Sequence, residues 1–338
     1  TQFGVFLSFI NPFRPETKEI FTSKMNFEER IIHSFRLLKK KLAWNGRYNL
    51  YSKDLEYWQK KGLKLIRLPF KWERLQLDLK GPLNQHDLNK MKELVRAAEK
   101  RDMVVILDLH NYCRRFMNNE HTLIGNNGLT IEDLASFWQA IAKEFSTFKN
   151  IYGYGLMNEP HDLAPETKWF DMAQASINAI REVDTNTLIM VGGNDWSSAE
   201  RWIEQSDTLK FLKDPANNLA FEAHVYFDKD ASGTYKYSYE EEECYPEKGI
   251  DRVKPFVEWI KQNKFHGFIG EYGIPDNDPR WNETLDLFLG YLQENGINGT
   301  YWAAGPWWDT YFMAITPKDG KDRPQMPIIE KYTSTFKK

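Results

Sequence analysis

Cysteine is scarce in this chain: two residues, Cys113 and Cys244, among 338. So few exclude a disulfide framework, and their spacing fits no zinc site. Both fall in segments read as loops on one face, so a single bridge between them stays open. An excess of either charge is also missing. Lys and Arg total 45 against 48 Asp and Glu, a formal net charge of −3. Nothing in that balance draws the chain to nucleic acid or to an acidic membrane surface. No run approaches the ~18 apolar residues that a membrane span needs. The apolar run Phe3 to Ile10 is short and has no basic segment ahead of it, so it is not read as a signal peptide. The chain begins at Thr1 rather than Met. No Ser/Thr/Pro-rich linker marks an appended module, and no internal repeat is visible. No group of His, Asp and Glu has metal-ligand spacing, so neither a metal nor a cofactor is expected. The acidic run Glu240 to Glu243 reads as a solvated loop.

What is abundant is aromatic surface. Phe, Trp and Tyr make up 15% of the chain, with 12 Trp and 16 Tyr, within a hydrophobic share of 41%. That is enough for a large core, which should take more than half of the rings. The remainder suits exposed flat platforms, and sugar rings, apolar on their faces and polar at their rims, fit such platforms.

Short apolar runs followed by polar residues recur along the chain. Phe3 to Phe9, Lys64 to Pro69, Met103 to Asn111, Ile151 to Met157, Thr187 to Gly192, Leu219 to Tyr226, Phe268 to Glu271 and Asn298 to Ala303 read as strands. Helical patterns lie between them: Lys53 to Lys61 (stopped by Gly62), Leu88 to Lys100, Thr130 to Phe145, Glu166 to Glu182, Val253 to Lys264 and Trp281 to Glu294. Met326 to Phe336 closes the series, and Phe27 to Leu42 is a further candidate with irregular apolar positions. Thr130 and Asp133 resemble a capping box. Eight strands alternating with helices imply a parallel sheet, and the count implies a (β/α)8 barrel in one domain over residues 1–338.

Two carboxylates end such runs. Leu156-Met-Asn-Glu159-Pro160 closes one strand, and Phe268-Ile-Gly-Glu271-Tyr-Gly273 closes another. Pro160 biases Glu159 toward extended backbone, which keeps it at the strand end. In an α/β barrel that end is the active face. Two glutamates facing one substrate is the layout that glycoside cleavage requires. Neighbours on a regular strand point to opposite faces, so Asn158 and Glu159 can share a site only if the strand end is irregular.

Six phrases in this order, Ile66-Arg67-Leu-Pro, Asp108-Leu-His110-Asn111, Leu156-Met-Asn158-Glu159-Pro, His224-Val-Tyr226, Gly270-Glu271-Tyr-Gly and Tyr301-Trp302-Ala-Ala, resemble glycoside hydrolase family 5. The similarity is strongest to microbial endo-β-1,4-glucanases and covers about residues 48–330, leaving no substrate contacts assigned within residues 1–45. It implies a retaining, endo-acting cut of internal β-1,4-glucosidic bonds. A mannanase or xyloglucanase on the same barrel, or a catalytically silent glucan-binding protein, are the rival readings. The resemblance implies Glu271 as nucleophile, held ionised by Arg67 and Tyr226. It implies Glu159 as acid and base, its pKa raised by burial and by the charge of Glu271. Asn158 would bind the sugar 2-hydroxyl. His110, Asn111 and His224 would hold hydroxyls or the nucleophile's surroundings. Trp302 would lie under the cleaved sugar, with a cis peptide to Ala303, and Trp196 and Trp307 would serve neighbouring subsites. The expected partner is a β-glucan or its oligosaccharides, met by a monomer that is secreted or periplasmic.

Overall fold

A computed structural model describes residues 3–7, 48–305, 308 and 310–333. The candidate helix Phe27 to Leu42, Trp307 and residues 334–336 lie outside the described residues, and the closing helix, expected to run to Phe336, spans only Met326–Glu330. Eight parallel strands close into a barrel: β1 (Phe3–Leu7), β2 (Leu65–Phe70), β3 (Val104–Leu109), β6 (Ile151–Gly155), β7 (Leu188–Gly192), β8 (Leu219–His224), β9 (His266–Tyr272) and β10 (Asn298–Ala304). An antiparallel hairpin, β4 (Arg114–Met117) with β5 (Glu120–Leu123), is inserted after β3. Its two-residue loop, Asn118 and Asn119, has φ of 51° and 65°. Paired positive φ values suit the turn that right-twisted strands require, and Asn tolerates them.

The helices begin and end close to where the pattern puts them, at Tyr48–Lys60, Gln85–Glu99, Ile131–Phe145, Trp169–Arg181, Lys248–Asn263 and Arg280–Glu294. The helix Ile131–Phe145 shows why. Leu134, Phe137, Trp138, Ile141, Ala142 and Phe145 recur on one face and are all buried. Each large side chain so buried contributes about 1.5–3 kcal/mol over its exposed state. At its start, Asp133 N–H donates to Thr130 Oγ1 (3.2 Å) while Thr130 N–H donates to Asp133 Oδ2 (2.8 Å), the expected reciprocal cap. Among the described residues no helix is long and apolar enough to cross a membrane.

The aromatic surplus goes mainly into the seam between helices and barrel. Trp58, Trp72, Trp138, Trp169, Trp202, Trp259 and Trp281 are fully buried. Two of them fasten helices to strand ends. Trp138 Nε1 donates to Leu156 O (3.0 Å) and Trp169 Nε1 to Gly192 O (2.7 Å). Among the described tryptophans only Trp196 is substantially exposed.

Inside the barrel the two-residue period of the strands sets the layers. Leu65, Ile106, Met190, Ala220 and Phe268 form a small apolar layer of their own. Two residues further along stand Arg67, Asp108, Gly192, Glu222 and Gly270. The next step brings His110 and His224. A dry floor, a charged layer and a polar rim therefore stack toward the C-terminal end. A cavity of about 570 Å3 at the opposite end, lined by residues such as Tyr152, Asn186, His266 and Asn298, contains none of the candidate site residues.

The acidic run departs from a purely solvated loop. Glu242 is buried, and it accepts from the N–H groups of Lys229 (2.8 Å) and Tyr237 (2.9 Å), so it organises the loop after β8. Both cysteines are free. Cys113 is turned into the core, whereas Cys244 lies beside Thr284 Oγ1 at 3.9 Å, so no bridge joins them.

Candidate active site

The site is built on strand ends around one buried cation. Arg67, on β2, is 1% exposed. Its Nη2 reaches Glu222 Oε1 (2.7 Å), Asp108 Oδ1 (3.1 Å) and Asn158 Oδ1 (2.8 Å), and its Nη1 reaches Glu271 Oε1 (3.2 Å). Burial works against its charge, but the carboxylates of Asp108, Glu222, Glu271 and Glu159 outweigh that and push its pKa up. A guanidinium suits this place because its rigid fork serves several acceptors at once.

Glu271 lies near the end of β9 and is 4% exposed. Besides Arg67 it accepts from Tyr226 OH (2.8 Å), and His224 Nδ1 stands 3.6 Å from its Oε2. Tyr226 is held from behind, with its carbonyl accepting from Arg252 Nη1.

Glu159 reaches the same spot by leaving the strand. β6 ends at Gly155, and Glu159 adopts φ 46°, in the left-handed region. That twist answers the parity problem: Asn158 and Glu159 are adjacent, yet both point into the site. Glu159 Oε1 pairs with His224 Nδ1 at 2.7 Å. One carboxyl oxygen of Glu159, His224 Nδ1 and one carboxyl oxygen of Glu271 lie within 4.8 Å of one another.

The burial is distributed differently from expectation. Glu271 is the more deeply buried of the two glutamates, with a side chain 5% exposed against 16% for Glu159. Glu271 is pushed up to about 7, first by burial and further by the charge of Glu159, while His224, Arg67 and Tyr226 pull it down. Asp108, fully enclosed, also rises to about 7 from burial, with Arg67 opposing. His224 moves the other way. Burial lowers its pKa, but Glu271, Glu159 and Glu222 together raise it to about 10. Arg67 and His224 are thus the cations set among the carboxyls of Asp108, Glu159, Glu222 and Glu271.

Asn158 is 1% exposed. Its Oδ1 is taken by Arg67, but its Nδ2 is buried without a partner. His110 is wedged on both sides: Nδ1 meets Asp108 Oδ2 at 2.8 Å and Nε2 meets Tyr112 OH at 3.0 Å. Its ring stacks with Trp302 at 6.0 Å and 16°. Trp302 Nε1 donates to Tyr311 OH (3.2 Å), and its peptide bond to Ala303 is cis, as the resemblance implies.

Asn111 is a brace and not an open donor. Its Oδ1 accepts from Trp72 N–H (2.9 Å), and its Nδ2 donates to Glu73 Oε2 (2.8 Å) and Arg114 O (2.9 Å). Trp196 stands on the loop after β7, 43% exposed, stacked on His161.

Four site residues are given no role by the motif reading: Asp108, which opens one of the six phrases, and Glu222, Lys71 and Tyr112, which lie outside them. Asp108 and Glu222 carry a visible signal, since each precedes a site histidine by two residues and so shares its face. Lys71 donates from Nζ to His110 O, and burial lowers its pKa to about 8, with Glu73 and Asp108 resisting. Tyr112 has φ 55°, which no local pattern announces.

Comparison with known proteins follows the same lines. The family model for cellulase (glycosyl hydrolase family 5) matches residues 25–307. Endo-beta-1,4-glucanase B of Emericella nidulans is 33% identical over 265 residues, 77% of this chain and 76% of that protein. Pseudomonas stutzeri endoglucanase Cel5A in complex with cellobiose is 41% identical with a TM-score of 0.78, covering 84% of each chain. XacCel5A in complex with cellopentaose is 38% identical with a TM-score of 0.76, covering 83% of this chain and 90% of that one. With a closed parallel barrel and two glutamates at its C-terminal end, the chain belongs to the cellulase family, glycosyl hydrolase family 5.

Proposed function

We propose that this protein is a retaining endo-β-1,4-glucanase, cutting internal bonds of cellulose and related β-glucans by double displacement. The observation that carries the reading is the approach of Glu159 and Glu271, with carboxyl oxygens within 4.8 Å. Retaining cleavage brings the carboxyls to about 5–5.5 Å, while inverting enzymes leave roughly 6.5–9.5 Å for a water.

Glu271 attacks the anomeric carbon and forms a glycosyl ester. Arg67 and Tyr226 donate to its ionised form, which favours the charge that attack needs. Glu159 gives its proton to the departing oxygen. Esterification removes the charge of Glu271, and Glu159, now a carboxylate, takes a proton from water. That water attacks the same carbon and releases Glu271. Two inversions leave the β configuration. The unpartnered Nδ2 of Asn158 supports a bond to the sugar 2-hydroxyl. Trp302 offers the platform under the cleaved sugar, and Trp196 a stacking face beyond it. A polymeric substrate of this kind lies outside cells, which supports action after secretion or in the periplasm.

The test uses azide, which attacks without a base. Glu159→Ala with an activated aryl β-cellobioside should form the ester, stall, and release β-glycosyl azide. Glu271→Ala lacks the covalent route, so azide attacks once and gives the α product. Proton NMR reads the anomer. The opposite pairing would reverse the two roles, and no azide product from either would defeat the assignment. Reducing-sugar release from soluble cellulose derivative, mixed-linkage glucan, mannan and xyloglucan should favour the first two.

A further inference from the structure

We infer that His161 is a positioning residue for Trp196, fixing the plane of a substrate-stacking face on the leaving-group side of the scissile bond. This rests on the retaining reading with Glu159 as the acid. His161 and Trp196 stack at 4.4 Å with 17° between their planes. One indole face is therefore covered, and the residue is still 43% exposed, so the other face is open.

The indole needs such support. Asp195, Trp196 and Ser197 have φ of 52°, 55° and 55°. Three consecutive non-glycine residues in the left-handed region are each disfavoured, and they persist only where their surroundings hold them. The holding groups are identifiable. Trp196 N–H donates to Pro160 O at 3.3 Å, and Asp195 pairs with Arg201. Pro160 follows Glu159 directly. The platform is thus tied to the acid's own loop, which places it beside the oxygen that Glu159 protonates.

His161 is itself anchored on several sides. Arg114 Nη1 reaches its Nε2 at 3.0 Å, and Arg114 Nη2 donates to its carbonyl at 3.3 Å. Nδ1 lies 3.0 Å from Asp162 Oδ2 and 3.5 Å from Arg114 Nη2, so both ring nitrogens are engaged. Tyr112 meets the ring edge-on at 5.7 Å. Arg114 also donates to Tyr112 O at 2.8 Å. The imidazole is clamped at its rim and leaves its flat face to the indole. A pyranose on the open face would complete a three-layer stack.

The experiment compares His161→Ala, His161→Phe, Trp196→Ala and the double alanine variant in the full chain. Two substrates are used: cellohexaose, whose sugars lie on both sides of the cut bond, and β-cellobiosyl fluoride, whose leaving group has no ring to stack. The readout is the ratio of kcat/KM on the first to kcat/KM on the second. An aromatic pair contributes enough for His161→Ala to lower this ratio about three- to tenfold. His161→Phe keeps a stacking ring and should recover most of it. The double variant should fall no further than Trp196→Ala, since the two residues act through one face. An unchanged ratio in His161→Ala, an equal loss on both substrates, or losses that add in the double variant would overturn the inference. Failure of the unmodified protein to turn over either substrate would instead overturn the retaining reading beneath it.

Discussion

Replacing Tyr226 by Phe removes one oxygen from the active centre and leaves the ring that fills the space. That oxygen donates to Glu271 Oε2 at 2.8 Å, and both residues are buried. A hydrogen bond to a charged partner contributes about 1.5–3 kcal/mol. One pKa unit corresponds to about 1.4 kcal/mol, so losing the donor should raise Glu271 by about 1–2 units. Glu271 already sits high, at about 7, because burial opposes its charge. The acid limb of kcat/KM against pH reports the nucleophile in the free enzyme, and the basic limb reports the acid. Tyr226→Phe should therefore shift the acid limb upward by about 1–2 units and leave the basic limb in place. The bell narrows. On the acid side, turnover falls about 10–100-fold, with a smaller loss where Glu271 is ionised in both proteins. The thermal midpoint should hold, because the ring is retained. A bell that drops uniformly, with its acid limb unmoved, would show that this hydroxyl does not support the nucleophile's charge.

Asn158→Ala should cost about 100-fold in kcat/KM on cellobiosides and much less on their 2-deoxy analogues, because the contact to the 2-hydroxyl is already missing there. His224 has its pKa raised from 6.5 to about 10, against burial, by three carboxylates. Its contribution to stability is complete below pH 6.5 and is lost as pH climbs toward 10; urea midpoints should fall over that range, and His224→Gln should flatten the fall. Asp184 accepts from Tyr154 OH (2.8 Å), Asn186 N–H (3.0 Å), Thr187 N–H (2.9 Å) and Thr187 Oγ1 (2.6 Å). Asp184→Ala should cost about 2–4 kcal/mol in denaturant titration, most of it from stranding the buried tyrosine. Under native conditions a thiol reagent should label Cys244 before Cys113, and two equivalents should react once the chain is unfolded.

The catalytic carboxylates and their supports were legible because each ends an apolar strand, where the barrel fixes the face. His110, His224 and Tyr226 follow the same rule, whereas Arg67 stands inside β2, between Ile66 and Leu68. Asp108 and Glu222 were legible in principle. A carboxylate inside Val-Val-Ile-Leu-Asp108-Leu or Leu-Ala-Phe-Glu222-Ala cannot be buried alone, and its two-residue offset from a histidine names the partner. The hairpin from Arg114 to Leu123 was harder. Its strands are four residues each, too short for alternation to register, and only Asn118-Asn119 marks the turn. The left-handed turns at Tyr112, Glu159 and Trp196 were not legible, since their φ values come from contacts distant in sequence. The raised pKa of Glu271 depends on burial depth, which pattern does not resolve.

The charged layer has a consequence for anyone who would re-engineer this protein by random or saturation mutagenesis. A Cβ added at Gly270 would lie 2.0 Å from Glu222 Oε1 and 2.8 Å from His224 Nε2. One added at Gly273 would lie 2.4 Å from Trp302 O. Glu222 has nowhere to retreat, being 3% exposed and paired with Arg67, and a backbone carbonyl is no more yielding. Even alanine at either position should therefore fail, and libraries that sample them will spend their diversity on proteins that do not assemble a working centre. The nucleophile's strand admits no neighbours with side chains on the crowded face. New substrate preference has to be sought in the loops that follow β3, β7 and β8, where Trp196 and the exposed Tyr237 stand clear of the charge cluster.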